Sequence, residues 1–182
     1  MPEEQATGRK VLLLTGPGGS GKTTIAELLA KRHGFGCIDG DDLDSEFFPD
    51  GGQWLPENSN RLKLAHEKIL AEVIKAFNYG KDDVVLDCII FGDYHGFMKQ
   101  LKNEFGNALV VKVLFPTKEE MVKRDRARKC WTTGIERIST VRAELSAIQD
   151  VIGEDSYLDT TGQSPDDTLN MIYHPNTWYG RH

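Results

Sequence analysis

Long apolar runs are missing from this chain. Its aliphatic stretches, such as Val11–Leu14, hold four residues, where a membrane-spanning helix needs about 20. Cysteine is scarce. The three present, Cys37, Cys88 and Cys130, show no close pairing and no C-x-x-C spacing, which argues against a disulfide framework or a structural zinc site and suits a reducing compartment. A basic excess is also missing. Lys and Arg number 22 against 28 Asp and Glu, for a formal net charge of -6. Phosphate backbones call for basic surfaces, so duplex nucleic acid is not the expected partner. A small phosphorylated ligand stays compatible, because a few local donors outweigh the global sign. The chain has no repeat, long linker or low-complexity tract. Its first ten residues, MPEEQATGRK, are polar and lead into no signal-type apolar region, so the expectation is a cytoplasmic protein with no membrane contact.

What is present is an alternation of short apolar runs and helix-period segments. KVLLLTG (10–16) reads as a buried strand and KTTIAELLAKRHG (22–34) as a helix stopped by Gly34. FGCIDGDD (35–42) reads as a strand ending in acids. Residues 58–80 form a long helix with Leu62, Ala65, Ile69, Val73 and Phe77 at spacings of three and four. A third strand (82–92), a helix (93–106) and a fourth strand (107–116) follow. Thr117 and Glu120 have the spacing of a capping box opening a helix that runs through MVKRDRARK, and residues 135–153 form another helix. SYLDTTG holds a last strand, and Ser164–Pro165 opens a last helix. The tail 173–182 has no readable pattern. Strand–helix alternation of this kind predicts an α/β fold with a parallel sheet of about five strands and helices on both faces, in one domain over 1–182. Ligands in such sheets bind at the carboxyl ends of the strands.

GPGGSGKT, residues 16–23, matches G-x-x-x-x-G-K-[ST] in full, between a strand and a helix. Gly16, Gly18, Gly19 and Gly21 let successive N–H groups, with that of Ser20, face one point at a helix N-terminus, where an anion is favoured. Lys22 would reach β- and γ-phosphates, Thr23 a Mg²⁺ ion, and Thr24 an α-phosphate. Asp87 ends the VVL of strand three, the place for an acid bound to Mg²⁺ with Thr23. DTTG at 159–162 has the D-x-x-G spelling of GTP-hydrolysing switch proteins, but it comes late and no N-K-x-D accompanies it.

GPGGSGKTTIAELLAKRHGFGCIDGDDL resembles the P-loop small-molecule kinases, of the nucleoside-monophosphate-kinase-like group: gluconate, shikimate and adenylylsulfate kinases and chloramphenicol phosphotransferase. The acidic DGD is similar to the first and third. VVLDCIIFG and YLDTTGQSPDDTLNMI are nearer to the last. The resemblance implies that Asp39 holds magnesium through water and that Asp41 contacts the acceptor hydroxyl and takes its proton. Asp42 is the alternative if the register slips by one. It implies substrate contact for Asp39 as well as Asp41, and for Arg61 at the start of the long helix, as holder of an anionic group. The glycine triplet of shikimate kinases after strand three is missing, which puts shikimate in doubt. KRDRARK (123–129) sits where related kinases carry a lid, so residues 124–134 read as a helical lid, with Arg124 on nucleotide and Arg128 stabilising the transferring phosphoryl.

The resulting expectation is an ATP- and Mg²⁺-dependent kinase acting on a hydroxyl of a small metabolite or antibiotic, with Lys22, Asp41 and Arg128 catalytic. A nucleoside or nucleoside-monophosphate kinase is the alternative, with Trp54, Phe91 and Tyr94 as possible base-stacking residues. A non-catalytic nucleotide-binding module is the second alternative. His66 reads as packing or surface, and His95 as a residue near the acceptor. No interface stripe indicates an oligomeric state.

Overall fold

The computed structural model describes residues 8–90, 95–129 and 132–179. Phe91, Tyr94, Cys130 and Trp131 lie outside these, as does the side chain of His95.

Five strands form one parallel sheet in the order β2-β3-β1-β4-β5. They are β1 Lys10–Thr15, β2 Gly36–Asp39, β3 Asp83–Asp87, β4 Leu109–Leu114 and β5 Tyr157–Leu158. β1 is central and wholly aliphatic from Val11 to Leu14 because both its faces are covered. Val11 and Leu13 pack on one face with Val84, Leu86 and the Leu62–Val73 stripe of α3, Ser59–Asn78. Leu12 and Leu14 pack on the other with Val85 and with Ile25 and Leu29 of α1, Lys22–His33. His66 joins the α3 stripe and stacks on Phe97 at 4.3 Å, and burial holds its imidazole down to about 4. It is a neutral packing group.

The remaining helices are α2 Gly40–Ser45, α4 His95–Phe105, α5 Lys118–Arg126, α6 Ile135–Ala147, α7 Gln149–Ile152, α8 Pro165–Ile172 and α9 Pro175–Trp178. Several boundaries differ from the sequence reading. The acids after Asp39 belong to a helix, since Asp39 caps α2 by accepting from the Asp42 N–H at 2.9 Å. β3 stops at Asp87. The expected helix over 135–153 breaks at Ile148 into α6 and α7. α5 ends at Arg126, so Arg128 lies beyond it. Only half of the expected capping box at Thr117 forms. Its hydroxyl accepts from Glu120 N–H, but the Glu120 carboxylate turns to Arg124, and Thr117 N–H donates to Thr161 Oγ1 instead. A complete box forms at Ser164 with Asp167. The described part of the unassigned tail, residues 173–179, is anchored through its aromatics. Trp178 is buried against Phe35 and Tyr173, and the Tyr179 hydroxyl donates to Asp83 Oδ2 at 2.5 Å.

Among the described residues no helix is long and apolar enough to cross a membrane.

Candidate functional site

Strand register brings the chemistry together. Asp39 pairs with Asp87 across β2–β3, and Asp87 with Leu14 across β3–β1. Both carboxylates therefore end their strands beside the point where β1 enters the glycine-rich loop. Glycine is required there by geometry. Gly19 has φ +76°, and a Cβ on it would collide with the carbonyl of Met121. Gly21, φ +99°, caps α1 with no atom within 4 Å of where its Cβ would stand. The loop thus presents backbone to open space at a helix N-terminus, the arrangement that receives phosphate.

Lys22 is buried and lines the cleft beside the loop. The Thr23 hydroxyl donates to Asp87 Oδ2 at 2.7 Å. Asp87 Oδ1 is buried with no hydrogen-bond partner. Burial pushes this carboxyl up to about 6, against the pull of Lys22, with Asp41 adding to the rise. A buried carboxylate oxygen with nothing to bind is a feature that a cation resolves. The donor set fits Mg²⁺, which takes one or two carboxylates and fills its sphere with phosphate and water. Among the described residues no group of three or more His, Cys, Asp or Glu is placed to hold a metal ion by itself.

Asp41 sits in the first turn of α2 and accepts from Ile89 N–H at 2.7 Å through Oδ1. That bond aims the carboxylate across the strand ends. Burial raises its pKa, outweighing Lys22 and the Ile89 hydrogen bond, and Asp39 adds to the rise. A carboxylate so tuned suits general-base work. Asp42 contributes to the same wall. The two described cysteines are poor nucleophiles: burial and the surrounding acids push Cys37 up to about 11 and Cys88 well above the usual thiol range.

Two clefts meet at the loop. One of about 320 Å³ is bordered by Gly19, Ser20, Gly21, Thr24 and residues of the β5–α8 side, including Gln163 and Thr168. The other, of about 430 Å³, is bordered by Lys22, Thr23, Asp39, Asp41 and Asp42. Arg128 borders both. A third cavity of about 410 Å³ continues from Asp41 and Ile89 to Gln53, Trp54 and Arg137.

Arg124 and Arg128 do different things. Arg124 is tied down on four sides: to Glu120 Oε1 at 2.9 Å, to the Thr160 carbonyl at 2.8 Å, and more loosely to the Ser20 carbonyl and the Thr160 hydroxyl. Asp125, buried, accepts from Thr133 N–H at 2.9 Å and Gly134 N–H at 3.0 Å and pairs with Arg128 at 3.7 Å. Residues 124, 133 and 134 are therefore anchor points. The structure does not bring Arg61 to this group. It is exposed and lies over the Phe48 ring at 5.6 Å. Arg137 is the arginine at the far cavity, 4.5 Å over Trp54. Sequence reading missed Arg137, Gln53 and Thr133. Their spacing carries no motif, and an IERIS helix start looks like any solvated face.

The family model described as "AAA domain" matches residues 12–144. No curated protein matches the chain in sequence. Solved structures share its fold at low identity. A sugar kinase from Janibacter sp. superposes with a TM-score of 0.66 at 17% identity, over 95% of this chain and 96% of that one. The tunicamycin resistance protein of Deinococcus radiodurans gives 0.62 at 17%, over 90% and 93%. Shikimate kinase from Acinetobacter baumannii, solved with shikimate, gives 0.59 at 20%, over 90% of each. The fold is that of the P-loop kinases.

Proposed function

The chain belongs to the AAA-domain family, and from that premise we propose that it is an ATP-dependent kinase for a small hydroxylated acceptor. The observation that carries the reading is the doubled cleft. A module that only senses nucleotide needs one cleft at the glycine-rich loop. Here the loop borders two, and Arg128 stands in both.

In this reading the smaller cleft takes the nucleoside part of ATP, with Thr24 near the α-phosphate and Arg124 holding the Ser20 end of the loop against Thr160. Backbone N–H groups from Gly16 to Gly21 and the Lys22 ammonium hold the β- and γ-phosphates. Thr23 and Asp87, with Asp39 through water, would hold Mg²⁺, which when bound neutralises charge on those phosphates. Asp41 orients the acceptor hydroxyl and takes its proton as the phosphoryl group moves across. Arg128 stabilises the charge on that group from the lid side. Segment 124–134, within one kinase domain, is the lid.

Trp54 at the far cavity favours one second reading, a nucleoside kinase, since a base would stack on it. A transfer assay decides. Radiolabelled ATP, Mg²⁺ and separate pools of sugars, aminocyclitols, sugar acids and nucleosides should give labelled product with one pool. Lys22→Ala should give none while its circular dichroism stays native. No transfer to any pool, with ATP still bound, would leave the nucleotide-binding module as the function.

A further inference from the structure

Resting on the kinase reading, we propose that the acceptor is a neutral or amino-bearing ring rich in O–H or N–H donors, of the sugar or aminocyclitol type, held against Trp54, and not an anionic acid. The cavity beyond Asp41 carries the argument. Its volume, about 410 Å³, suits one ring-sized molecule. Several of its polar groups offer acceptors. Gln53 Oε1 is buried and has no hydrogen-bond partner. Ser45 spends its proton on the Asp42 carbonyl at 2.6 Å, which leaves lone pairs. Asp41 and Asp44 add carboxylates. The cation, Arg137, is engaged over the Trp54 ring. Two carboxylates against one guanidinium leave the wall of this cavity negative, while the adjoining cleft sets Lys22 and Arg128 against its acids. A carboxylate seated in the far cavity would meet the repulsion of Asp41 and Asp44. A donor-bearing ring would supply the hydrogen bond that Gln53 lacks.

The loop that presents these groups is built to hold its shape. Gly51 N–H bonds to the Phe48 carbonyl at 2.9 Å, Leu55 N–H to Gly52 at 3.0 Å, and the Asn58 amide to Gly52 at 2.9 Å. Trp54 is 50% exposed, so its indole is not part of the core. Its flat apolar surface is matched by the C–H face of a sugar or cyclitol, while the ring's hydroxyls or amines turn to Gln53 and the acids.

The test uses thermal melts of the full chain with Mg²⁺ and a non-hydrolysable ATP analogue, then with glucose, myo-inositol or streptamine added on one side and gluconate or shikimate on the other. At least one neutral or amino ring should raise the midpoint and the acids should not. With that ring as substrate, Trp54→Ala and Gln53→Leu should each raise KM about tenfold, the cost of one lost polar or stacking contact. Trp54→Phe should keep most of the affinity. Stabilisation by the acids alone, by none of the rings, or equally in wild type and Trp54→Ala overturns the proposal. The melt with ATP analogue alone separates the two claims. Without a shift there, the kinase reading itself fails. A nucleotide shift with no ring shift defeats only the acceptor assignment.

Discussion

The Thr23 hydroxyl donates to Asp87 Oδ2 at 2.7 Å, across 64 residues of sequence. The bond ties the first turn of α1 to the end of β3 and leaves the buried Asp87 Oδ1 without a hydrogen-bond partner. Asp87 is thus held in place at a cost to the empty protein, and that cost is measurable.

Asp87→Asn should stabilise the protein without ligand at neutral pH and remove the Mg²⁺-dependent transfer proposed above. A carboxyl whose folded pKa is raised to about 6 favours folding when protonated. That contribution is full below the unfolded value of about 4 and is lost as pH rises through about 6. Two units correspond to roughly 3 kcal/mol at most. Melts of wild type and variant should differ most at pH 7–8 and converge toward pH 4. A variant less stable than wild type at pH 8 would show that the carboxylate is not the strained group.

Asp41→Asn should lower kcat by about 10²-fold or more, with a smaller change in KM for ATP, as expected for loss of a general base. In the wild type, kcat should fall on the acid side, because Asp41 accepts a proton only when ionised and its pKa is raised. The variant's pH profile should lose that limb or leave only the one owed to Asp87. A profile identical to wild type would move the base to Asp39 or Asp42.

Asp125→Ala should loosen the backbone at Thr133 and Gly134, the return of the proposed lid. Burial works against the Asp125 charge, but the Gly134 and Thr133 hydrogen bonds and Arg128 overcome it and hold its pKa below the usual carboxylate value. Removing it leaves two backbone N–H groups without an acceptor, a loss of about 2–4 kcal/mol. Hydrogen exchange at Thr133 and Gly134 should accelerate, while the Arg124 N–H, inside α5, stays protected. In the wild type, an ATP analogue should slow exchange between these anchors. Unchanged exchange in both experiments would return the segment to an ordinary surface turn.

Trp178→Ala should cost about 3–5 kcal/mol, the usual price of emptying a buried indole site. The ring is 6% exposed and packs on Phe35 and Tyr173. Denaturant unfolding would measure it. A change within about 0.5 kcal/mol would mean that the tail is not part of the core.

Local chemistry was legible in the chain. The GPGGSGKT loop, the parallel α/β order and the α3 stripe follow from spacing alone, because phosphate cradles and buried helix faces demand residues at fixed offsets. Asp87 and Asp39 were legible as strand ends, since a hydrophobic run stops there. What remained hidden depends on contacts between distant segments. HPNTWY carries no period, yet its Trp178 is core because Phe35 and Tyr173 face it, and Asp83 holds the Tyr179 hydroxyl. KRDRARK reads as one charged face, but Asp125 and Arg124 bind partners 8 to 104 residues away and anchor it to the glycine-rich loop and the start of α6. Arg61 and Arg137 look alike in sequence. Only the packing of α3 and α6 decided that the first lies on Phe48 and the second over Trp54 at the cavity, because a side chain's function depends on which surface the folded backbone turns it toward.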